Sequence, residues 1–211
     1  MIKRLDNIEA SELQFRLDNK NDDFTLIARD CIGGILYHQL GLKFLTPTIN
    51  LFLTPKDFNS LCLHLREYIN GELKEFKNHK EDYPVGMLYP DKIHNLEPIR
   101  IDFMHYLNFD EASTKWNQRK LRINWDNIYV VSSFCYIGET KTFTPELVRD
   151  WNQINYKKVV FVDKKYGFDD EIVMEEPKEC DEYAWLLFAD DESQKWKRVF
   201  NRFDFIKFLN E

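Results

Sequence analysis

Apolar residues in this chain fall in short runs separated by capped amphipathic stretches, and that rhythm predicts strands alternating with helices. Phe24 to Ala28 is a short apolar run, as expected of a strand buried on both faces. A helix of about two turns is expected after Gly34, ending at Gly41, whose lack of a side chain suits a left-handed C-cap. Thr46 to Leu53 reads as a second strand, closed by Thr54-Pro55-Lys56-Asp57, where Thr caps and Pro takes the first helical position. The helix opened there carries Phe58, Leu61, Leu65 and Tyr68 on one stripe and ends near Gly71.

Further along, residues 72 to 82 read as a charged, solvated connection, and Tyr83–Leu88 and Ile99–His105 as two strands that could pair. Asn108 or Asp110 opens a helix with acidic residues first and Arg119, Lys120 and Arg122 near its end, complementing the macrodipole. Ile128–Val131 is another strand, Thr144-Pro145-Glu146 starts another helix, and Lys158–Val162 returns as a strand. Before all of these, Leu13 to Leu17 alternates weakly and suggests an edge strand. An apolar patch at Trp185–Phe188 and an aromatic-rich stretch from Trp196 to Leu209 suggest a closing strand and helix.

The expected fold is therefore α/β: a central, mostly parallel or mixed sheet with helices on both faces. Its strands would include Phe24–Ala28, Ile49–Leu53, Ile101–Met104, Ile128–Val131 and Val159–Val162. No linker-like Pro/Ser/Gly stretch or internal repeat divides the 211 residues, so residues 1–211 are expected to form a single domain.

Charge narrows the partners. A formal charge of -7 repels phosphate backbones, so nucleic acid is not an expected partner. The N-terminus lacks the apolar core of a signal peptide and no later run would span a membrane, which suggests a cytoplasmic protein. Cys31, Cys62, Cys135 and Cys180 are widely spaced and the histidines scattered, so reduced thiols and no metal site are expected. The sequence specifies no cofactor and no oligomeric state. Its expected ligand is a small molecule or carbohydrate.

Chemistry is expected where the first strand ends, since open α/β sheets bind ligands at their carboxyl edge. Asp30, Cys31, Gly33 and Gly34 fall there. A thiol beside two glycines at a helix start gains from nearby amide dipoles, which favour thiolate. The alternative is a small buried residue packed between strand and helix. Adjacent glycines suit a sharp turn or a backbone cradle for a ligand, although DCIGG lacks both the GxGxxG spacing and a Walker lysine.

His105, at the end of its expected strand, is the best-placed general base for Cys31, ahead of His38 and His94. Trp116, Arg119, Arg122 and Asn127 are types that stack on sugars and clamp carboxylates or phosphates. They are equally types that anchor a helix to a sheet and complement its end.

These segments resemble a bacterial family known as domain-of-unknown-function family 1919. The likeness rests on the Cys-x-Gly-Gly turn at Asp30 to Gly34, Pro-Thr-x-x-Leu-Phe at Pro47 to Phe52 and Tyr-Pro-Val-Gly at Tyr83 to Gly86. It continues through His105-Tyr106 and the Trp-x-x-Arg-Lys-x-Arg-Ile-Asn run at Trp116 to Asn124, spanning roughly residues 20 to 165. The chain departs from the usual pattern at Ile32, where an aromatic is commoner, and at Asp30, where Asn is commoner.

Many family members carry an exopolysaccharide biosynthesis label taken from neighbouring genes. The resemblance thus implies a transferase of surface-polysaccharide assembly, using an activated sugar or acyl donor. Against it stand a non-catalytic carbohydrate- or nucleotide-binding regulator and a cysteine hydrolase using Cys31 and His105.

Overall fold

Elements form where capping side chains and apolar runs direct them. A computed structural model describes residues 10–91, 95–134, 143–174 and 203–211. Four strands, β1 (Thr25–Ala28), β5 (Ile128–Ser133), β6 (Lys157–Val162) and β7 (Glu171–Val173), build a sheet in the order β1-β5-β6-β7. All three pairings are parallel, with Thr25 opposite Ile128 and Ser133 opposite Phe161. β1 and β5 are buried along their whole length, which explains their continuous apolar reading.

A second, antiparallel sheet joins β2 (Glu72–Glu75), β3 (Val85–Tyr89) and β4 (Ile99–Asp102) in sequence order. The expected neighbours do pair, but the Ile101 segment belongs to this small sheet and not to the central one. β2 falls within the stretch expected to be a solvated connection. Its side chains are largely exposed, so strand formation there rests on backbone pairing to β3, a signal that hydrophobic patterning cannot carry.

The other expected central strand is absent. Residues 46–53 are irregular apart from one bridge between Phe52 and Asp102. Pro47 has no N–H to give to a ladder, and Asn50 turns the chain at φ 57. Side chains cover the free edge of β1: this segment supplies Thr48 Oγ1, which accepts from the Ala28 amide at 3.1 Å, and the helix after β1 supplies Tyr37 Oη, which accepts from the Leu26 amide at 3.1 Å.

Helix starts follow the sequence closely. α3 (Pro55–Leu63), α5 (Phe109–Lys120) and α6 (Pro145–Asn152) are capped by Thr54, Asn108 and Thr144, each accepting a backbone N–H within the first turn. α2 (Ile32–Leu40) ends at Gly41, with φ 68. The helix after Thr54 is broken at His64, so α4 (Leu65–Asn70) is a separate element.

The expected N-terminal edge strand is instead α1 (Ala10–Asp18). It is held by Arg16, whose Nε donates to Gln39 O at 2.7 Å at the C-terminal end of α2. α7 (Phe205–Asn210) closes the chain, Tyr129 Oη donating to Leu209 O at 2.9 Å. One apolar cluster runs from Phe24 to Leu209. The expected features at His94, Cys135, Cys180, Trp185–Phe188 and the beginning of the closing segment at Trp196 lie outside the described residues.

Candidate functional site

β1 delivers three consecutive polar or reactive side chains to the carboxyl edge of the parallel sheet. Arg29 is fully buried, its guanidinium 4.7 Å from the Phe52 ring centroid and 5.4 Å from that of Phe134. Its Nη1 donates to Leu53 O at 3.1 Å.

Asp30 is also buried. One carboxylate oxygen accepts the Ile32 amide at 2.9 Å, and the other accepts a short hydrogen bond from Ser133 Oγ at the end of β5. Two strands and the start of α2 are tied together through that one carboxylate.

Cys31 occupies the N-cap of α2 with no side-chain cap bond, so its sulfur is not spent on the helix. Its Sγ lies 3.3 Å from His105 Nε2. His105 reaches it from the exposed turn that follows β4, not from a strand of the same sheet. The neighbouring Tyr106 fixes that turn by donating from Oη to Ile49 O at 2.7 Å.

Burial pushes the Cys31 thiol up to about 12, and the adjacent Asp30 carboxylate adds to the rise. This overturns the expectation of a dipole-stabilised thiolate, because desolvation and a like charge outweigh the helix end. A protonated thiol can donate to Nε2 when the imidazole carries its own proton on Nδ1. Among the described residues, nothing is hydrogen-bonded to the other ring nitrogen of His105.

Gly33 and Gly34 are not a turn ahead of a helix; they are its first-turn residues. A Cβ on Gly33 would stand 2.7 Å from that of Ala28, so glycine permits α2 to press against β1. The first intrahelical bond runs from Ile35 N to Cys31 O, and the Gly33 and Gly34 amides precede it.

The remaining sequence candidates are not gathered around Cys31. Trp116 is buried in the core, edge-on to Phe103 at 6.5 Å. Arg119 donates to Tyr106 Oη at 2.8 Å and covers the Phe44 ring, which links it to the site only through that tyrosine. Arg122 donates to Phe44 O at 3.4 Å. Asn127 lies at the opposite, amino end of the sheet, its amide donating to Asn21 Oδ1 and Asp23 O at 3.0 and 2.9 Å.

Sequence reading missed Ser133 and Arg29. The signal for Ser133 was its place at the end of a strand that pairs with β1, which only strand order reveals. Among the described residues no cluster of His, Cys, Asp and Glu could hold a metal ion.

The molecule is thus an α/β protein with a thiol and an imidazole paired at the carboxyl edge of a parallel sheet. The chain belongs to the family described as "Domain of unknown function (DUF1919)", which it matches over residues 2–210. It is also 28% identical over 201 residues to an uncharacterised protein of Haemophilus influenzae, covering 94% of this chain and 88% of the relative. No helix among the described residues is long and apolar enough to cross a membrane.

Proposed function

We propose that this protein is a cysteine-dependent acyltransferase that takes an acyl group from a thioester donor and passes it to a hydroxyl acceptor. The observation that carries this reading is the 3.3 Å approach of Cys31 Sγ to His105 Nε2 at a half-buried, open helix start. Of the two donor classes, an acyl group suits a thiol nucleophile better than an activated sugar does.

In the first half-reaction Cys31 Sγ attacks the acyl carbonyl carbon as its proton passes to His105 Nε2. The oxyanion that forms is stabilised by the amides of Gly33 and Gly34, which have no intrahelical acceptor. Collapse breaks the bond to the donor sulfur, which leaves with the proton from His105, and Cys31 carries the acyl group as a thioester. In the second half, the acceptor hydroxyl attacks that carbonyl and gives its proton to His105. Cys31 sulfur then departs and recovers the proton, closing the cycle.

A thiol that is neutral at rest fits this scheme, since its proton needs to leave only when a carbonyl is in place. A carbohydrate hydroxyl as acceptor, in surface-polysaccharide assembly, follows the exopolysaccharide naming that many family members carry. Water in its place gives a hydrolase from the same pair.

The test is release of free coenzyme A from an acyl-coenzyme A panel, with and without sugar acceptors. Wild type should turn over, Cys31→Ser should not, and His105→Ala should be slowed by about a hundredfold or more. Turnover unchanged in Cys31→Ser would reject the reading, and sugar-independent release would convert it to hydrolysis.

A further inference from the structure

A groove of about 810 Å³ lies on the outer face of the antiparallel sheet, between the end of α4, the β2–β3 pair and α5, and shares no residue with the Cys31–His105 pair. Its platform is Tyr89, the last residue of β3, which is 39% exposed. Register places Tyr89 opposite Glu72, so Glu72 and Lys74 project on the same side of the hairpin as the ring. Lys74 Nζ holds Glu72 at 3.0 Å and lies over one face of the Tyr89 ring, 5.2 Å from its centroid, so a ligand stacks on the opposite face while that contact lasts.

The facing wall is α5, where Asn117 and Lys120 are spaced i, i+3 and fall on one side of the helix. Asn70 enters from the end of α4. The side-chain amides of Asn70 and Asn117 and the ammonium of Lys120 have no partner among the described residues.

Donors and acceptors are thus mixed in one concave surface around an aromatic ring. Among the described lining residues, Glu72 and Asp91 match Lys74 and Lys120 in charge. A nucleotide or phosphorylated ligand would be set beside the Glu72 carboxylate, and a lipid would strand the amides without partners. A sugar suits both conditions, because its hydroxyls donate and accept while its C–H face lies on an aromatic ring.

We infer that this groove binds a neutral carbohydrate chain, with Tyr89 as stacking platform and Asn70, Asn117 and Lys120 as hydroxyl partners. The site stands apart from the acyl-transfer pair and does not depend on it.

Affinity electrophoresis of the full chain in gels containing dextran, laminarin, galactomannan or levan tests this, with alginate as the acidic comparison. At least one neutral polysaccharide should retard the wild-type protein. Tyr89→Ala should weaken that retardation about tenfold, the loss expected for one stacking ring. Asn117→Ala should weaken it measurably, and Cys31→Ser should leave it unchanged.

Both variants are at exposed positions, and unchanged thermal midpoints would show that they fold. Retardation by no neutral polysaccharide, or by alginate alone, would overturn the inference. So would full retention of binding in Tyr89→Ala, or its loss in Cys31→Ser.

Discussion

At the carboxyl end of the parallel sheet, Cys31 Sγ meets one imidazole nitrogen, and that imidazole's other nitrogen has no partner among the described residues. At the amino end, polar side chains are spent on the backbone around them. Asn124 takes Asp23 O, Asn127 takes Asp23 O and Asn21 Oδ1, and Thr25 Oγ1 donates to Leu45 O while accepting the Asn124 amide. Residue type does not distinguish the two ends. What does is whether the hydrogen-bonding capacity is already used, because a satisfied amide or guanidinium has little left to offer a ligand.

The largest expected effect separates the ends by chemistry. Cys31→Ser should abolish acyl transfer, and His105→Ala should lower it by about a hundredfold or more, the scale of losing a general base. Neither should shift the thermal midpoint much, since His105 is exposed and Ser is a close replacement for Cys.

Gly33→Ala should act on stability instead. The added Cβ meets Ala28 at 2.7 Å, and forcing α2 off β1 should cost about 1–3 kcal/mol in denaturant unfolding, with lower activity as a consequence.

A pH titration sharpens the carboxyl end. The Cys31 thiol is raised to about 12 in the folded state from an ordinary value of 9.0, so the unfolded chain releases that proton first. The stability this group contributes is fully present below pH 9.0 and is lost progressively toward about 12. Asp30→Asn removes the neighbouring charge and should lower the thiol's value. Iodoacetamide alkylation of Cys31 should then begin at lower pH than in wild type, which a purely structural role for Asp30 would not produce. Cys62, fully buried and also raised, should react after Cys31.

The smallest effect belongs to the amino end. Asn127→Ala removes two hydrogen bonds and should cost about 1–2 kcal/mol of stability. Its rate of Cys31 alkylation should match wild type; a slower or faster rate would break the contrast between the two ends.

Local signals in the sequence carried over well where the physics is local. Thr54, Asn108 and Thr144 announce their helices because a cap bond is made within one turn, and Gly41 announces an end for a similar reason. The Phe24, Ile128 and Val159 runs read as central strands because both their faces are buried.

Non-local physics was less legible. Nothing in Glu72–Glu75 marks a strand, since its partner β3 supplies the reason for it. The Pro47 to Leu53 run is as apolar as a strand yet serves β1 through the Thr48 hydroxyl and a turn at Asn50. The proximity of Cys31 and His105 could be named from residue types and element ends. The route to it could not, because His105 arrives from the antiparallel sheet. Trp116, Arg119, Arg122 and Asn127 are near one another in sequence, but Trp116 faces the core from α5 and the turn after that helix carries Asn127 to the amino end of the sheet.

Intact-mass spectrometry after incubation with acetyl-coenzyme A, without any acceptor, tests the central claim most directly. The account predicts one added acetyl group per chain, mapped to Cys31, removed by hydroxylamine at neutral pH, absent from Cys31→Ser and strongly slowed in His105→Ala. Equal acetylation of wild type and Cys31→Ser, or no adduct across a full range of acyl-coenzyme A donors, would contradict it.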